Sequence, residues 1–170
     1  MSLPSYSPGD VLTADDCNTW FMPQFVSKPS ATTRTNNTIA DDTDLIVPVA
    51  ASAVYWAQFF LWYDGKDLAG NPASPGGLRV NFAAPASSLW NFQGVGQDIT
   101  QHEQSDSAFN SGDSPQLWYT DSNNNAATYS GILVTSTTAG NFGLRWAQAN
   151  TSSTATSVHA RSCMIVQRVG

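Results

Sequence analysis

Residues 53–64 read AVYWAQFFLWYD, the strongest strand signal in the chain. Successive side chains of a strand point to opposite faces. Tyr55, Ala57, Phe59, Leu61 and Tyr63 therefore share one face, and Val54, Trp56, Gln58, Phe60 and Trp62 share the other. Both faces are apolar. A strand of this kind lies centrally in a sandwich, or another subunit covers its outer side.

The segments around it have the same character. LRVNFAAP (78–85) alternates cleanly, with Leu78, Val80 and Phe82 inward and Arg79 and Asn81 outward. Phe142, Leu144 and Trp146 alternate in the same way against Asn141, Gly143 and Arg145. SLWNFQGVG, QLWYT, ATYSGILVTST and a closing SVHARSCMIVQRV add further strands. DLIVPVA (44–50) carries Pro48, which assigns it to a sheet edge or a bulge. DDTD (41–44) reads as a turn, 24–37 as a polar extended arm, and 65–77 as a Gly/Pro loop. Residues 97–115 hold one poor strand and a long loop. Eight to ten short strands with no alternating helices predict an all-β fold, an antiparallel β-sandwich of jelly-roll type.

One helix precedes the strands, in GDVLTADDCNTWFMP (9–23). Thr13 and Asp16 form the [ST]-x-x-[DE] capping box, and Leu12 is placed to staple onto Cys17. Asp15 and Asp16 favour the positive end of the helix dipole. Pro23 stops the helix after about eight residues. A helix below about 12 residues is marginal alone, so its apolar face of Cys17, Trp20 and Phe21 needs a partner surface. Leu12, Cys17, Trp20 and Phe21 are the expected docking residues.

Charge narrows the function. Only 12% of residues are charged, the net charge is −6, and the seven Lys and Arg are scattered. Binding a phosphate backbone needs grouped cations, so neither nucleic acid nor an anionic membrane surface is an expected partner. No apolar run approaches the roughly 18 residues of a membrane span. MSLPSYSPGD lacks the basic and apolar regions of a secretory signal, so an extracellular role would follow release by lysis. Cys17 and Cys163 are expected as reduced, apolar thiols rather than a disulfide.

Chemistry-bearing motifs are scarce. His102 and His159 are the only histidines, with no H-E-x-x-H, C-x-x-C or nucleophile elbow. Asp41, Asp42 and Asp44, or Asp121 with Asn123–Asn125, would supply three or four oxygens to Ca²⁺ of the six to eight it takes. The plainer reading is turn residues that cap their own backbone. Glu103 is the only Glu, and nothing marks a glycosidase carboxylate pair. No catalytic residue, metal site or cofactor is expected. Trp56, Trp62, Trp90, Trp118, Trp146 and Tyr119 are the material for a sugar-stacking face, although core or interface suits most of them better. Trp118 and Tyr119, beside a loop, are the expected ligand-contact pair.

Three stretches carry a resemblance. PGDVLTADDCNTWFMPQ resembles an N-terminal motif, roughly pG-x-vLTAadmN-x-w, of virion proteins from phages of actinobacteria. DLIVPVAASAVYWAQFFLWYDG and GLRWAQANTSSTATSVHARSCMIVQRV are similar to the middle and closing segments of the same proteins, in the same order. Cys17 stands where Met or Val is usual, and Arg161 where Gly is usual before Ser162. The resemblance implies a trimeric, tumour-necrosis-factor-like jelly roll without enzymatic activity. It implies a minor tail or fibre-type protein on the particle surface, in contact with other virion proteins and with the host envelope or its glycans. Capsid decoration, clamping capsomers, is the alternative, and a carbohydrate-binding module a further one. Such a protein assembles in the host cytoplasm and leaves in the virion. Residues 1–30 would be a docking or trimerisation arm and 31–170 the sandwich.

Overall fold

The alternation at residues 54–64 does place that strand centrally. In the computed structural model, which describes residues 7–18, 22–65, 77–96, 104–109, 116–118 and 125–170, it is β4 (Val54–Asp64) of the larger of two sheets. The main path of that sheet runs β1 (Gln24–Ser27), β12 (Cys163–Arg168), β4, β9 (Asn125–Val134), β6 (Leu89–Gly96), β7 (Gln104–Phe109). β11 (Thr156–Val158) pairs with the end of β4 and with β2 (Thr32–Arg34). The smaller sheet runs β3 (Ala40–Val49), β10 (Gly140–Gln148), β5 (Leu78–Ala83), β8 (Gln116–Trp118). All pairings are antiparallel. The chain is an all-β sandwich.

The core lies between the sheets and follows the predicted alternation. Tyr55, Ala57, Phe59, Leu61 and Tyr63 are buried, facing Leu78, Val80, Phe82, Phe142, Leu144 and Trp146 from the other sheet. Phe59 packs on Phe82 and Phe142 at ring-centroid distances of 5.0 and 5.6 Å. Tilted and edge-on aromatic pairs of this type each add about 0.5–1.5 kcal/mol beyond area burial. Trp90 and Trp146 are fully buried, which takes them out of any sugar-stacking face. Asn81, expected outward, is also buried; its side-chain Oδ1 accepts from the Phe82 N–H.

Several boundaries differ from the sequence reading. Pro48 sits on an edge strand, as expected, and β3 is also bulged. Gly143 pairs with Ile46 but Arg145 pairs with Asp41, so Asp42–Leu45 loop out of register. DDTD is therefore a bulge within β3 rather than a turn before it. A Cβ on Gly143 would strike the Leu45 carbonyl and Ile46, so the bulge needs glycine opposite it. Residues 24–37, expected as an arm, contain β1 and β2. Strand pairing thus begins at Gln24, inside the segment assigned to residues 1–30. The closing segment is two strands, β11 and β12, separated by a turn over 159–162.

The predicted helix is seen over its first five residues, and its remainder at 19–21 lies outside the described residues. α1 spans Ala14–Asp16 and continues through Cys17 and Asn18 as a wider π turn, closed by the Met22 N–H on the Cys17 carbonyl at 2.9 Å. The capping box forms: the Asp16 N–H donates to Thr13 Oγ1 at 3.1 Å, and the Thr13 N–H to Asp16 Oδ2 at 3.0 Å. The Thr13 hydroxyl also donates to Asp16 Oδ2 at 2.6 Å, and this bond, with the one from the Thr13 N–H, holds the Asp16 carboxyl below its ordinary value.

Candidate functional site

The outer face of the larger sheet is the most unusual surface of the molecule. Cross-strand pairing brings its residues into rows. Phe25 stands opposite Ile165, and Ile165 opposite Gln58. Trp56 stands opposite Ile132, and Val54 opposite Val134. Phe60 lies between Cys163 and Thr128. Phe25, Phe60, Trp62, Val95, Ile132 and Val134 are exposed, and Trp56 and Ile165 half-buried. The outward positions of β1, β12, β4, β9 and β6 hold no Asp, Glu, Lys or Arg, apart from Asp64 at the end of β4.

β1 is fastened to this sheet by a buried charge cluster. Lys28 follows β1, and its ammonium is fully enclosed. Its Nζ lies 2.9 and 2.8 Å from the two oxygens of Asp42 and 2.9 Å from Asp44 Oδ2. Trp146 Nε1 donates to Asp42 Oδ2 at 3.0 Å. Asp42 Oδ1 also accepts from the backbone N–H groups of Asp44 and Leu45, the self-capping expected of a turn aspartate. Burial raises the Asp42 carboxyl, but the hydrogen bonds from Lys28 and Trp146 and the Lys28 charge outweigh it and leave the group below its ordinary value. The Arg34 guanidinium lies 4.3 Å from the Trp146 ring centroid and donates to the carbonyls of Ala40, Asp41 and Trp146. Asp41 pairs with Arg145 Nε at 2.8 Å. Asp41, Asp42 and Asp44, considered for Ca²⁺, thus each have a cationic partner, and Asp121 lies outside the described residues. Among the described residues no group of three or more His, Cys, Asp or Glu is placed to hold a metal.

The 159–162 turn makes a notch at one end of the outer face. β12 pairs with β4 as far as Cys163–Phe60, and β11 resumes at Val158–Tyr63. Residues 159–162 therefore stand opposite Leu61 and Trp62 alone, a bulge with Arg161 at φ +73°. Trp62 is clamped by this turn. Its N–H donates to Ser162 Oγ at 2.9 Å, and its carbonyl accepts from the His159 N–H at 2.7 Å. Its ring meets the His159 ring edge-on at 6.0 Å, and His159 Nε2 lies 2.9 Å from Asp64 Oδ2.

The expected site residues are placed as follows. Leu12 is exposed, while Cys17 and Cys163 are half-buried free thiols. Trp20, Phe21 and Tyr119 lie outside the described residues, as do His102 and Glu103. Trp118 ends β8 opposite Leu78, and its side chain lies outside the described part. Asn18 and Met22, flanking the predicted aromatic pair, line a cavity of about 260 Å³ with Pro48, Tyr55 and Val166. Sequence reasoning missed the Lys28–Asp42 cluster and the notch. The outward period of β4 pointed at Trp62, but nothing in sequence marked the turn beside it.

No known family model matches this chain, and neither curated proteins nor solved structures yield a match.

Proposed function

We propose that this chain is a non-enzymatic structural protein of a bacteriophage particle, a homotrimer of minor tail or fibre type exposed on the virion surface. The observation that carries the assembly part is the outer face of β1, β12, β4, β9 and β6, whose outward positions carry no charge except Asp64 at the end of β4. A chain with net charge −6 repels its copies over most of its surface. A face nearly without charge, bearing Trp56, Ile132, Val134 and Ile165, is where copies approach with little of that repulsion. Burying exposed apolar area stabilises such a contact by about 25 cal/mol per Å² before the costs of association.

Strand order supports a jelly-roll winding. The chain crosses between sheets at β2–β3, β3–β4, β4–β5, β5–β6, β7–β8, β8–β9, β9–β10 and β10–β11, with β6 and β7 added at one side of the larger sheet, and an early strand pairs with a late one in each sheet. Two interlocked Greek keys have this pattern. The phage assignment rests on the three sequence stretches that resemble virion proteins.

Mass spectrometry and a density map of the particle that encodes the chain test this reading. A few to tens of copies at the tail fit it. Hundreds of copies on capsomers replace it with capsid decoration, and absence from the particle overturns both.

A further inference from the structure

We propose that the notch at Trp62 binds an acidic sugar chain, with the rings of Trp62 and Phe60 stacking on the sugar and Arg161 holding its carboxylate. The inference goes beyond the virion reading and does not rest on it.

Two clefts meet at the notch. One, of about 350 Å³, lies between Phe60, Thr128 and Arg161. The other, of about 270 Å³, lies between Ala31, His159 and Arg161. Trp62 and Arg161 line both, so they form the wall that the clefts share. Each cleft is near the lower size limit for a ligand pocket. Two side by side suit adjacent units of an extended oligomer better than one larger molecule.

The lining fits a sugar. Trp62 and Phe60 are each 41% exposed, at alternate positions of one strand face. An aromatic face is electron-rich and attracts the positively polarised C–H groups on a sugar ring. Thr128, half-buried, adds a hydroxyl. The platform is partly ordered in advance, because Ser162 and His159 fix the Trp62 backbone and the His159 ring meets the indole edge-on. Prior ordering of this kind lowers the entropic cost of binding.

Arg161 selects for acid. Among the described residues no carboxylate is within ion-pair distance of it, and it is exposed. A guanidinium fork matches a carboxylate in two parallel hydrogen bonds. Its backbone lies in the left-handed region, where glycine would sit without strain. The turn is fixed there by the Arg161 N–H on the Lys28 carbonyl at 3.0 Å. Ser52 and Ser87 also have positive φ, so the conformation by itself marks a turn, and what singles out Arg161 is its place in both clefts. One free cation suits one carboxylate per binding site; a nucleic acid would require several grouped cations.

Calorimetric titration of the purified chain with a short oligogalacturonate, an oligosialate and a neutral galactan oligomer tests the proposal. At least one acidic oligomer is expected to bind saturably, about tenfold or more tighter than the neutral one. Trp62→Ala and Arg161→Gln should each weaken it about tenfold, the loss of one stacking or one charged contact. Arg161→Lys should retain more affinity than Arg161→Gln. Circular dichroism checks the fold of each variant, and Arg161→Gln, on an exposed side chain, decides the matter if Trp62→Ala misfolds. No saturable binding of either acidic oligomer overturns the proposal. So does equal binding of the neutral oligomer together with an unaffected Arg161→Gln.

Discussion

The Lys28 ammonium is gripped by both carboxylate oxygens of Asp42, at 2.9 and 2.8 Å, with neither side chain more than 1% exposed. This pair joins the end of β1 in one sheet to the bulge of β3 in the other. It converts the polar segment after residue 23 from a loose tail into part of the sandwich.

Lys28→Met should be strongly destabilising. It leaves Asp42 buried with its cation gone, a change that costs about 3–5 kcal/mol when a buried pair loses one member. Urea denaturation measures it. A loss below about 1 kcal/mol would mean that water reaches Asp42 and the cluster is not structural.

The same pair sets the acid limit of stability. The Asp42 carboxyl titrates below 3.8, its ordinary value, only when folded. Its stabilisation is complete above that value and is lost as pH falls through the lower folded one. Melting temperature should hold steady down to about pH 4 and then fall. Asp42→Asn should start lower and fall less. Parallel acid profiles for the two proteins would remove Asp42 as the cause.

Arg161→Gly should leave stability unchanged or slightly raised. Glycine relieves the strain at φ +73°, worth about 1 kcal/mol or more, against an entropic penalty of about 0.5–1 kcal/mol. Arg161→Val keeps the strain and adds β-branching, and should lower the melting temperature. If both variants melt alike, the turn is not held as described.

Ile132→Glu, at an exposed position of β9 opposite Trp56, places a charge at the centre of the outer face. The isolated fold should change by no more than about 0.5 kcal/mol, as for other surface positions. Self-association should be lost. An oligomer that survives the change uses another surface.

Much of the sandwich was legible in the sequence because its inner faces alternate without interruption. Leu78, Val80 and Phe82, or Phe142, Leu144 and Trp146, can be assigned to a core from spacing alone. β1 and β2 were not legible, because QFVS and TTR bury little and owe their pairing to strands β12 and β11 far along the chain. The split of 156–168 was hidden for a different reason. Its bulge uses an arginine in a left-handed conformation, a place where sequence signals glycine. The buried cluster was hidden as well, since Lys28 and Asp42 become partners only once the two sheets are stacked. Of the surface that carries the functional proposals, the outward period of β4 gave the apolar face in advance, including Trp62. The notch depended on the turn and stayed invisible.

The central claim is a trimer built on a nearly uncharged sheet face, and the mass of the purified chain in solution tests it most directly. Light scattering should give three times the 18.2 kDa of the single chain. A monomer of 18.2 kDa that persists on concentration would contradict it.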